Sequence, residues 1–158
     1  MADFGAGSGA YSLALAHRVG TSGRVYAIDV QRELLARLKK TADEHSMRTI
    51  EIIHGNLDEV GGSKLRDSYV DAVLMSNVLF QSEHAKNMIA EAVRILKPAG
   101  QLLLIDWSES FGNLGPAAGH VVRESEARDY CERAGLELDK TEKAGDHHYG
   151  LLFHKPLR

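Results

Sequence analysis

A glycine-rich turn near the start of the chain constrains the fold most strongly. Ala2 to Phe4 is typical of the end of a strand, Gly5-Ala6-Gly7-Ser8-Gly9 follows it, and Ala10 to Val19 is typical of a helix. Glycines between a strand and a helix permit backbone angles that side chains forbid, and they let a ligand approach the main chain closely. We therefore predict a βα unit whose turn binds a nucleotide-like ligand, with a tight turn that binds nothing as the alternative.

Strand-like and helix-like segments then alternate along the chain. Apolar periodicity predicts strands over residues 24–29, 49–54, 70–75 and 101–106, and helices over residues 31–45 and 84–96. In the first helix, Tyr11, Leu15 and Val19 fall on one stripe, and Lys97-Pro98-Ala99-Gly100 should end the third helix. Such alternation predicts right-handed βαβ units and a parallel sheet.

The last third of the chain has a different pattern. A loop from Trp107 to Gly119 precedes a helix over residues 124–134, and strand-like runs over residues 136–143 and 147–155 flank a short turn. Two adjacent strands joined by so short a turn predict an antiparallel hairpin at the end of the sheet.

Asp29 strengthens the prediction of a nucleotide site. It ends the second predicted strand, 20 residues after Gly9. Because the carboxyl ends of adjacent parallel strands meet at one edge, Asp29 should face the same crevice as the turn. A carboxylate there can accept hydrogen bonds from ribose hydroxyls. The alternative, that Asp29 caps the following helix, is compatible with that role.

Length and composition limit the class of protein. A chain of 158 residues fits a single domain. The formal net charge of −3, with both signs scattered, argues against a nucleic-acid binder that depends on a basic field. No apolar run approaches about 18 residues and no secretory leader is visible, so we expect no membrane partner. The single cysteine, Cys131, cannot form an internal disulfide, which fits the cytoplasm.

The glycine spacing distinguishes between cofactors. Dinucleotide sites usually have the spacing G-x-G-x-x-G, with a pyrophosphate at the helix N-terminus. Here the spacing is G-x-G-x-G, and Asp3 precedes the first glycine by two positions. A carboxylate beside a pyrophosphate is unfavourable, whereas it suits a ligand that carries an amino group or another positive charge.

With the pattern D/E-x-G-x-G-x-G at Asp3 to Gly9, the chain resembles the class I S-adenosylmethionine-dependent methyltransferases, and especially the branch of ubiquinone and menaquinone biosynthesis enzymes. Four later segments resemble that family in the same order: Val25 to Asp29, Gly55 to Leu57, Asp71 to Asn77 and Arg94 to Leu104. The resemblance implies an α/β, Rossmann-like, doubly wound sheet with helices on both faces. It also implies transfer of the methyl group of S-adenosyl-L-methionine to an acceptor by in-line displacement, which leaves S-adenosyl-L-homocysteine.

The resemblance also implies the roles of individual residues. Asp3 and the turn surround the methionine moiety, Asp29 holds the ribose, Val30 and the pair Asn56–Leu57 flank the adenine, Ser76 and Asn77 line the methyl end, and Tyr11 closes over it. The implied cofactor-binding residues are Asp3, Gly5, Ala6, Gly7, Gly9, Tyr11, Asp29, Val30, Asn56, Leu57, Ser76 and Asn77.

The chain departs from the family pattern in three places. Asn56 stands where the family often has aspartate, and Ala99 stands where a second glycine is common. The family also has a helix and a complete first strand before the glycine turn, which we expect this chain to lack. A homo-oligomer could cover that side. The acceptor is expected to be a small molecule, because the resemblance is to the small-molecule branch.

No catalytic residue can be assigned from the sequence. His84, His147 and His148 are candidates for a general base, with ordinary helix or strand positions as the alternative. The histidines do not have the spacing of a metal site. Trp107 could form a wall for the acceptor or simply pack, and Cys131 should be a buried core thiol. Two alternative functions stay open: cofactor binding without catalysis, and an NAD-type oxidoreductase.

Overall fold

Seven strands form one sheet in the computed structural model, which describes residues 1–157. The order across the sheet is β3-β2-β1-β4-β5-β7-β6, and the strands are β1 (Ala2–Phe4), β2 (Val25–Asp29), β3 (Ile50–His54), β4 (Val70–Ser76), β5 (Leu96–Trp107), β6 (Glu137–Lys143) and β7 (His148–His154). The first five strands pair in parallel, whereas β7 is antiparallel to both β5 and β6. The predicted parallel sheet with a terminal antiparallel hairpin is therefore confirmed.

Four α-helices connect the strands, namely α1 (Ala10–Val19), α2 (Arg32–Glu44), α3 (Ala85–Ile95) and α4 (Glu124–Arg133). The first two helices pack on β2 and β3, whereas α3 and α4 pack on each other and on β5, β6 and β7. The strand order reverses at β1, and right-handed crossovers then place the two pairs on opposite faces of the sheet. Within residues 1–157, no helix has the length and apolar character needed to cross a bilayer.

Strand side chains alternate between the two faces, and this alternation places the core. Phe4, Ile28, Met75 and Leu104 are fully buried and belong to one cluster with the apolar side chains of α3 and α4. Asp3 points to the other face, under α1. The central strands are thus buried on both sides, which fixes the glycine turn at the end of β1 in the middle of the molecule.

The apolar stripe of the first helix is not its buried face. Tyr11 is 47% exposed, and the buried residues of α1 are Ser12 and Ala16. Ser12 faces the sheet because its hydroxyl donates a 2.6 Å hydrogen bond to the buried Asp3 carboxylate. Apolar periodicity cannot reveal a helix face that is anchored by a polar pair.

The predicted start of the fifth strand was also wrong, while the other boundaries agree within one residue. The strand begins at Leu96 rather than at Gln101, directly after α3 ends at Ile95. Leu96 pairs with Val70 and Gln101 with Ala72, so residues 97–100 bulge out of the ladder. The ammonium group of Lys155 donates to the carbonyl oxygens of Val93 and Leu96, both at 2.8 Å, and thereby caps the end of α3.

Replacing Ala99 by glycine is expected to stabilise the fold. Ala99 has a φ of 63°, in the left-handed region. A side chain in that conformation costs about 1 kcal/mol, so Ala99→Gly should raise the free energy of unfolding by about that amount. Thermal melting checks this, with Ala36→Gly on the exposed side of α2 as the matched control, where glycine should instead destabilise by about 1 kcal/mol. Changes of the same sign in both variants would contradict the explanation.

Candidate functional site

A cleft opens at the carboxyl edge of the sheet, where the strand order reverses. This is where ligands bind in doubly wound sheets, because the helices that follow adjacent strands diverge to opposite faces there. The cleft has a volume of about 250 Å³. Its walls come from the segments after β1, β2, β3 and β4 and from the start of α3. The lining residues are Gly5, Gly7, Asp29, Val30, Gln31, Leu34, Gly55, Asn56, Leu57, Asp58, Asn77, Val78, Gln81, Ser82 and Met88.

The glycine turn is fixed by close packing on both sides. Gly5 has a φ of 71°, and a Cβ atom there would lie 2.5 Å from Cγ2 of Val78, in the segment after β4. Gly9 has a φ of 92°, and a Cβ atom there would lie 2.1 Å from Cδ1 of Leu38 in α2. A larger residue at either position would therefore push neighbouring segments apart. The turn needs glycine for its backbone angles and for these contacts.

Asp29 ties the turn to the next helix. Its side chain is buried, and its Oδ2 accepts a 2.8 Å hydrogen bond from the backbone N–H of Gly7. Its Oδ1 accepts a 2.8 Å hydrogen bond from the backbone N–H of Gln31, at the start of α2. Each carboxylate oxygen can accept a second hydrogen bond. The capping role and a role in holding a ribose are therefore compatible in this geometry.

Asn77 has two features that indicate a ligand site. Its φ is 54°, in the left-handed region, and its backbone N–H donates to the carbonyl oxygen of Ile105 at 2.9 Å. Its side-chain Oδ1 is buried and has no hydrogen-bond partner. Unusual backbone angles and unpaired buried polar atoms cluster at functional sites. Asn77 thus presents an unused hydrogen-bond acceptor beside the cleft.

Asp106, which the sequence analysis did not single out, fixes the segment after β4. Its Oδ2 accepts hydrogen bonds from the N–H groups of Leu79 and Phe80, at 3.0 and 3.3 Å, and its Oδ1 accepts one from Trp107 at 2.8 Å. Burial raises the pKa of Asp106, and these N–H groups partly offset the effect. The sequence signal that could have identified Asp106 is a carboxylate next to the last residue of a buried strand.

Asp3 lies beneath the turn and not on the wall of the cleft. Its side chain is 2% exposed, and its Oδ2 accepts the hydrogen bond from Ser12 described above. Burial raises the pKa of Asp3 to about 6, and the negative charge of Asp29 adds to the increase. A carboxylate with this pKa carries its charge at neutral pH only at a free-energy cost, which a nearby positive charge would reduce.

Seven of the predicted cofactor residues line the cleft, and their roles toward a ligand stay predictions. They are Gly5, Gly7, Asp29, Val30, Asn56, Leu57 and Asn77. Asp3, Ala6, Gly9, Tyr11 and Ser76 lie outside the lining.

Several wall residues were missed by the sequence analysis, and Asp58 shows why. Its carboxylate accepts hydrogen bonds from the Ser82 hydroxyl and the Glu83 N–H, so it joins the segments after β3 and β4. Contacts between segments so far apart leave no local pattern.

The candidate bases lie in different surroundings. His84 is exposed and precedes α3, whereas His147 contacts Glu109 at 2.9 Å and stacks on Phe111. The ring centres of His148 and Trp107 lie 4.2 Å apart. The Nε2 atom of His148 is buried and has no hydrogen-bond partner. Within residues 1–157, no group of three or more His, Cys, Asp or Glu side chains could hold a metal ion.

Cys131 is a core thiol, as predicted. It is fully buried in α4, and burial raises its pKa to about 12.

Known proteins resemble this chain in sequence and in fold. A sequence profile described as a methyltransferase domain matches residues 2–104. An arsenite methyltransferase of Aquipseudomonas alcaligenes is 32% identical over 108 residues, which are 66% of this chain and 31% of that protein. A demethylmenaquinone methyltransferase of Bacillus mycoides is 28% identical over 103 residues, 65% of this chain and 42% of that protein. The crystal structure of a SAM-dependent methyltransferase from Aquifex aeolicus matches with a TM-score of 0.87 at 27% identity, and the match covers 97% of this chain and 80% of that one.

The matched segment spans less than half of the length of these two curated relatives. The profile nevertheless covers well over half of this chain, including the glycine turn, Asp29 and Asn77. The sheet order and the cleft agree with that match. The chain belongs to the methyltransferase domain family.

Proposed function

We propose that this chain binds S-adenosylmethionine in the cleft and transfers its methyl group to a small-molecule acceptor. The charge of the cleft wall carries the proposal. The lining contains the carboxylates of Asp29 and Asp58 and, in the part of the chain that the structure describes, no lysine or arginine. Opposite charges attract and like charges repel, so this wall suits a sulfonium cation better than the pyrophosphate of a dinucleotide.

The wall residues divide by chemistry in a way that fits an adenosyl group. Asp29 offers carboxylate oxygens to the ribose hydroxyls. Val30, Leu34 and Leu57 offer apolar surface to the adenine ring, and Asn56 offers polar atoms to its edge. The cofactor supplies an activated methyl group when bound. The chain therefore contributes binding, orientation and exclusion of water, and it requires no nucleophile of its own.

The acceptor is proposed to be an organic small molecule. The two curated relatives are named for arsenite and for demethylmenaquinone, which are chemically different acceptors. Trivalent arsenic is a soft centre that thiolates bind well. The single cysteine of this chain, Cys131, is buried and its pKa is raised to about 12, so it offers no thiolate. The chain itself therefore favours an organic acceptor over arsenite.

The test is formation of S-adenosylhomocysteine from S-adenosylmethionine carrying a labelled methyl group, across a panel of small organic acceptors. We expect at least one acceptor to become labelled in equal amount to the S-adenosylhomocysteine formed. Cofactor binding with no turnover across the panel would contradict methyl transfer and favour a binding protein.

A further inference from the structure

Three buried polar atoms without partners lie at one edge of the sheet. In residues 1–157, the buried side-chain nitrogen and oxygen atoms that lack a hydrogen-bond partner are Ser76 Oγ, Asn77 Oδ1 and His148 Nε2. Ser76 ends β4 and Asn77 follows it. His148 begins β7 and pairs with Trp107, the last residue of β5, so it lies at the same edge. Buried polar groups in native proteins are nearly always paired with protein, ordered water or a ligand, so three at one edge mark a place where a ligand can supply the partners.

Ser76 and His148 project from the same face of the sheet. Ser76 pairs with Ile105, and His148 pairs with Trp107. Ile105 and Trp107 are two residues apart in β5, and side chains two apart in a strand share a face. Asn77, which follows Ser76, lines the cofactor cleft. The three atoms therefore extend from the cleft across the ends of β4, β5 and β7.

Flat rings and a short loop enclose this region. The indole of Trp107 lies against the imidazole of His148, with ring centres 4.2 Å apart. The loop after β5 covers it, because a Cβ atom on Gly115 would lie 2.8 Å from the Trp107 ring. Phe111 of the same loop stacks on His147, with ring centres 3.8 Å apart. The Phe111 side chain is 44% exposed. When Gly115 moves away from Trp107, a ligand in its place contacts the face of the indole ring.

We propose that Ser76, Asn77, Trp107 and His148 form the acceptor subsite, and that it takes a planar aromatic molecule carrying hydroxyl groups. This inference rests on the proposed function. An amide Oδ1 only accepts hydrogen bonds, and a serine hydroxyl and an imidazole nitrogen can also accept them, so the ligand must donate. The flat walls favour an aromatic ring, which stacks or packs edge to face on such surfaces. The loop over residues 108–116 lifts to admit it.

The single tryptophan of the chain gives a direct readout. In ¹⁵N-labelled protein with saturating S-adenosylhomocysteine, one indole N–H signal reports on Trp107. We expect catechol to shift this signal saturably. Two matched ligands should bind at least about tenfold more weakly, which corresponds to the loss of one good contact. They are 1,2-dimethoxybenzene, which lacks the hydroxyl donors, and 1,2-cyclohexanediol, which lacks the ring.

His148→Phe separates hydrogen bonding from packing. Phenylalanine keeps a ring against Trp107 and removes the unpaired nitrogen, so the melting temperature should not fall. Catechol should bind at least about tenfold more weakly, whereas calorimetry should give unchanged affinity for S-adenosylhomocysteine. His17→Gln, at an exposed position of α1, is the matched control and should change neither affinity.

The outcomes distinguish this inference from the proposed function. Equal binding of the three ligands, or unchanged catechol binding in His148→Phe, would overturn the subsite even if S-adenosylhomocysteine binds normally. Failure of S-adenosylhomocysteine to bind a folded protein would instead overturn the proposed function. Selective catechol binding that His148→Phe weakens, in protein that binds S-adenosylhomocysteine, would support the subsite.

Discussion

Replacing Asp29 by alanine is expected to weaken S-adenosylhomocysteine binding by about 100-fold or more. In its proposed role Asp29 accepts hydrogen bonds from the ribose hydroxyls, and hydrogen bonds to a charged group contribute about 1.5–3 kcal/mol each. In the unmodified protein the N–H groups of Gly7 and Gln31 each donate a 2.8 Å hydrogen bond to the Asp29 carboxylate. Both N–H groups lose this partner in the variant. The glycine turn should therefore lose its connection to α2. Isothermal titration calorimetry measures the affinity directly.

Asp43→Asn is the matched control for this prediction. Asp43 lies on the exposed side of α2, where its carboxylate pairs with Lys39 at 3.0 Å, and it is not part of the cleft. The control should bind S-adenosylhomocysteine as the unmodified protein does. If Asp29→Ala is folded by circular dichroism and keeps its affinity within about threefold, Asp29 does not hold the ribose.

Replacing Asp3 by asparagine is expected to remove a pH dependence of stability worth about 3 kcal/mol. Burial raises the pKa of Asp3 from 3.8 to about 6, and each pKa unit corresponds to about 1.4 kcal/mol. Because the folded-state pKa is raised, the contribution to stability is complete below the unfolded pKa. It is lost as the pH rises through the folded pKa. The window of change is thus about pH 4 to 6, and the unmodified protein loses stability across it relative to Asp3→Asn.

Urea unfolding at several pH values tests this expectation. Asparagine can still accept the hydrogen bond from Ser12, but its extra N–H group adds a pH-independent cost. The informative quantity is therefore the change with pH in the difference between the two proteins. The free energy of unfolding of Asp3→Asn minus that of the unmodified protein should rise from pH 4 to pH 6 and stay constant above pH 7. Parallel stability curves over the whole range would show that Asp3 titrates normally.

Local sequence rules were sufficient for the glycine turn and for Asp29. Gly5 and Gly9 require glycine because of their backbone angles and neighbours, and such positions leave a mark in the sequence. Asp29 lies at the end of a continuous apolar strand, and the parallel sheet brings it to the turn. These parts of the site depend on short segments and on one rule of sheet geometry.

Longer-range contacts could not be predicted in the same way. Glu91 faces inward from α3 and is fully buried, because Arg94 and the backbone N–H groups of Gly61 and Ser63 satisfy its carboxylate. Lys155 caps α3 from a position about 60 residues away. The backbone partners of Glu91 and the partners of Lys155 lie far away in sequence, so periodicity indicates an exposed glutamate and an unremarkable lysine.

The proposed acceptor side of the site depends on contacts of this second kind. Asp106 anchors the segment after β4 through backbone N–H groups, and Ser76 and His148 come to the same edge only through the pairing of β4, β5 and β7. The proposed cofactor side is built from local turns at the ends of β1 and β2. A family can therefore keep a recognisable cofactor motif while its acceptor residues vary.

Calorimetric titration with S-adenosylhomocysteine and, separately, with NAD tests whether the cleft is an S-adenosylmethionine site. We expect saturable binding of S-adenosylhomocysteine at one site per chain and no measurable heat with NAD, because the cleft wall is acidic and Asp29 holds its glycine turn. Absence of binding by S-adenosylhomocysteine in a demonstrably folded sample, or tighter binding of NAD, would contradict it.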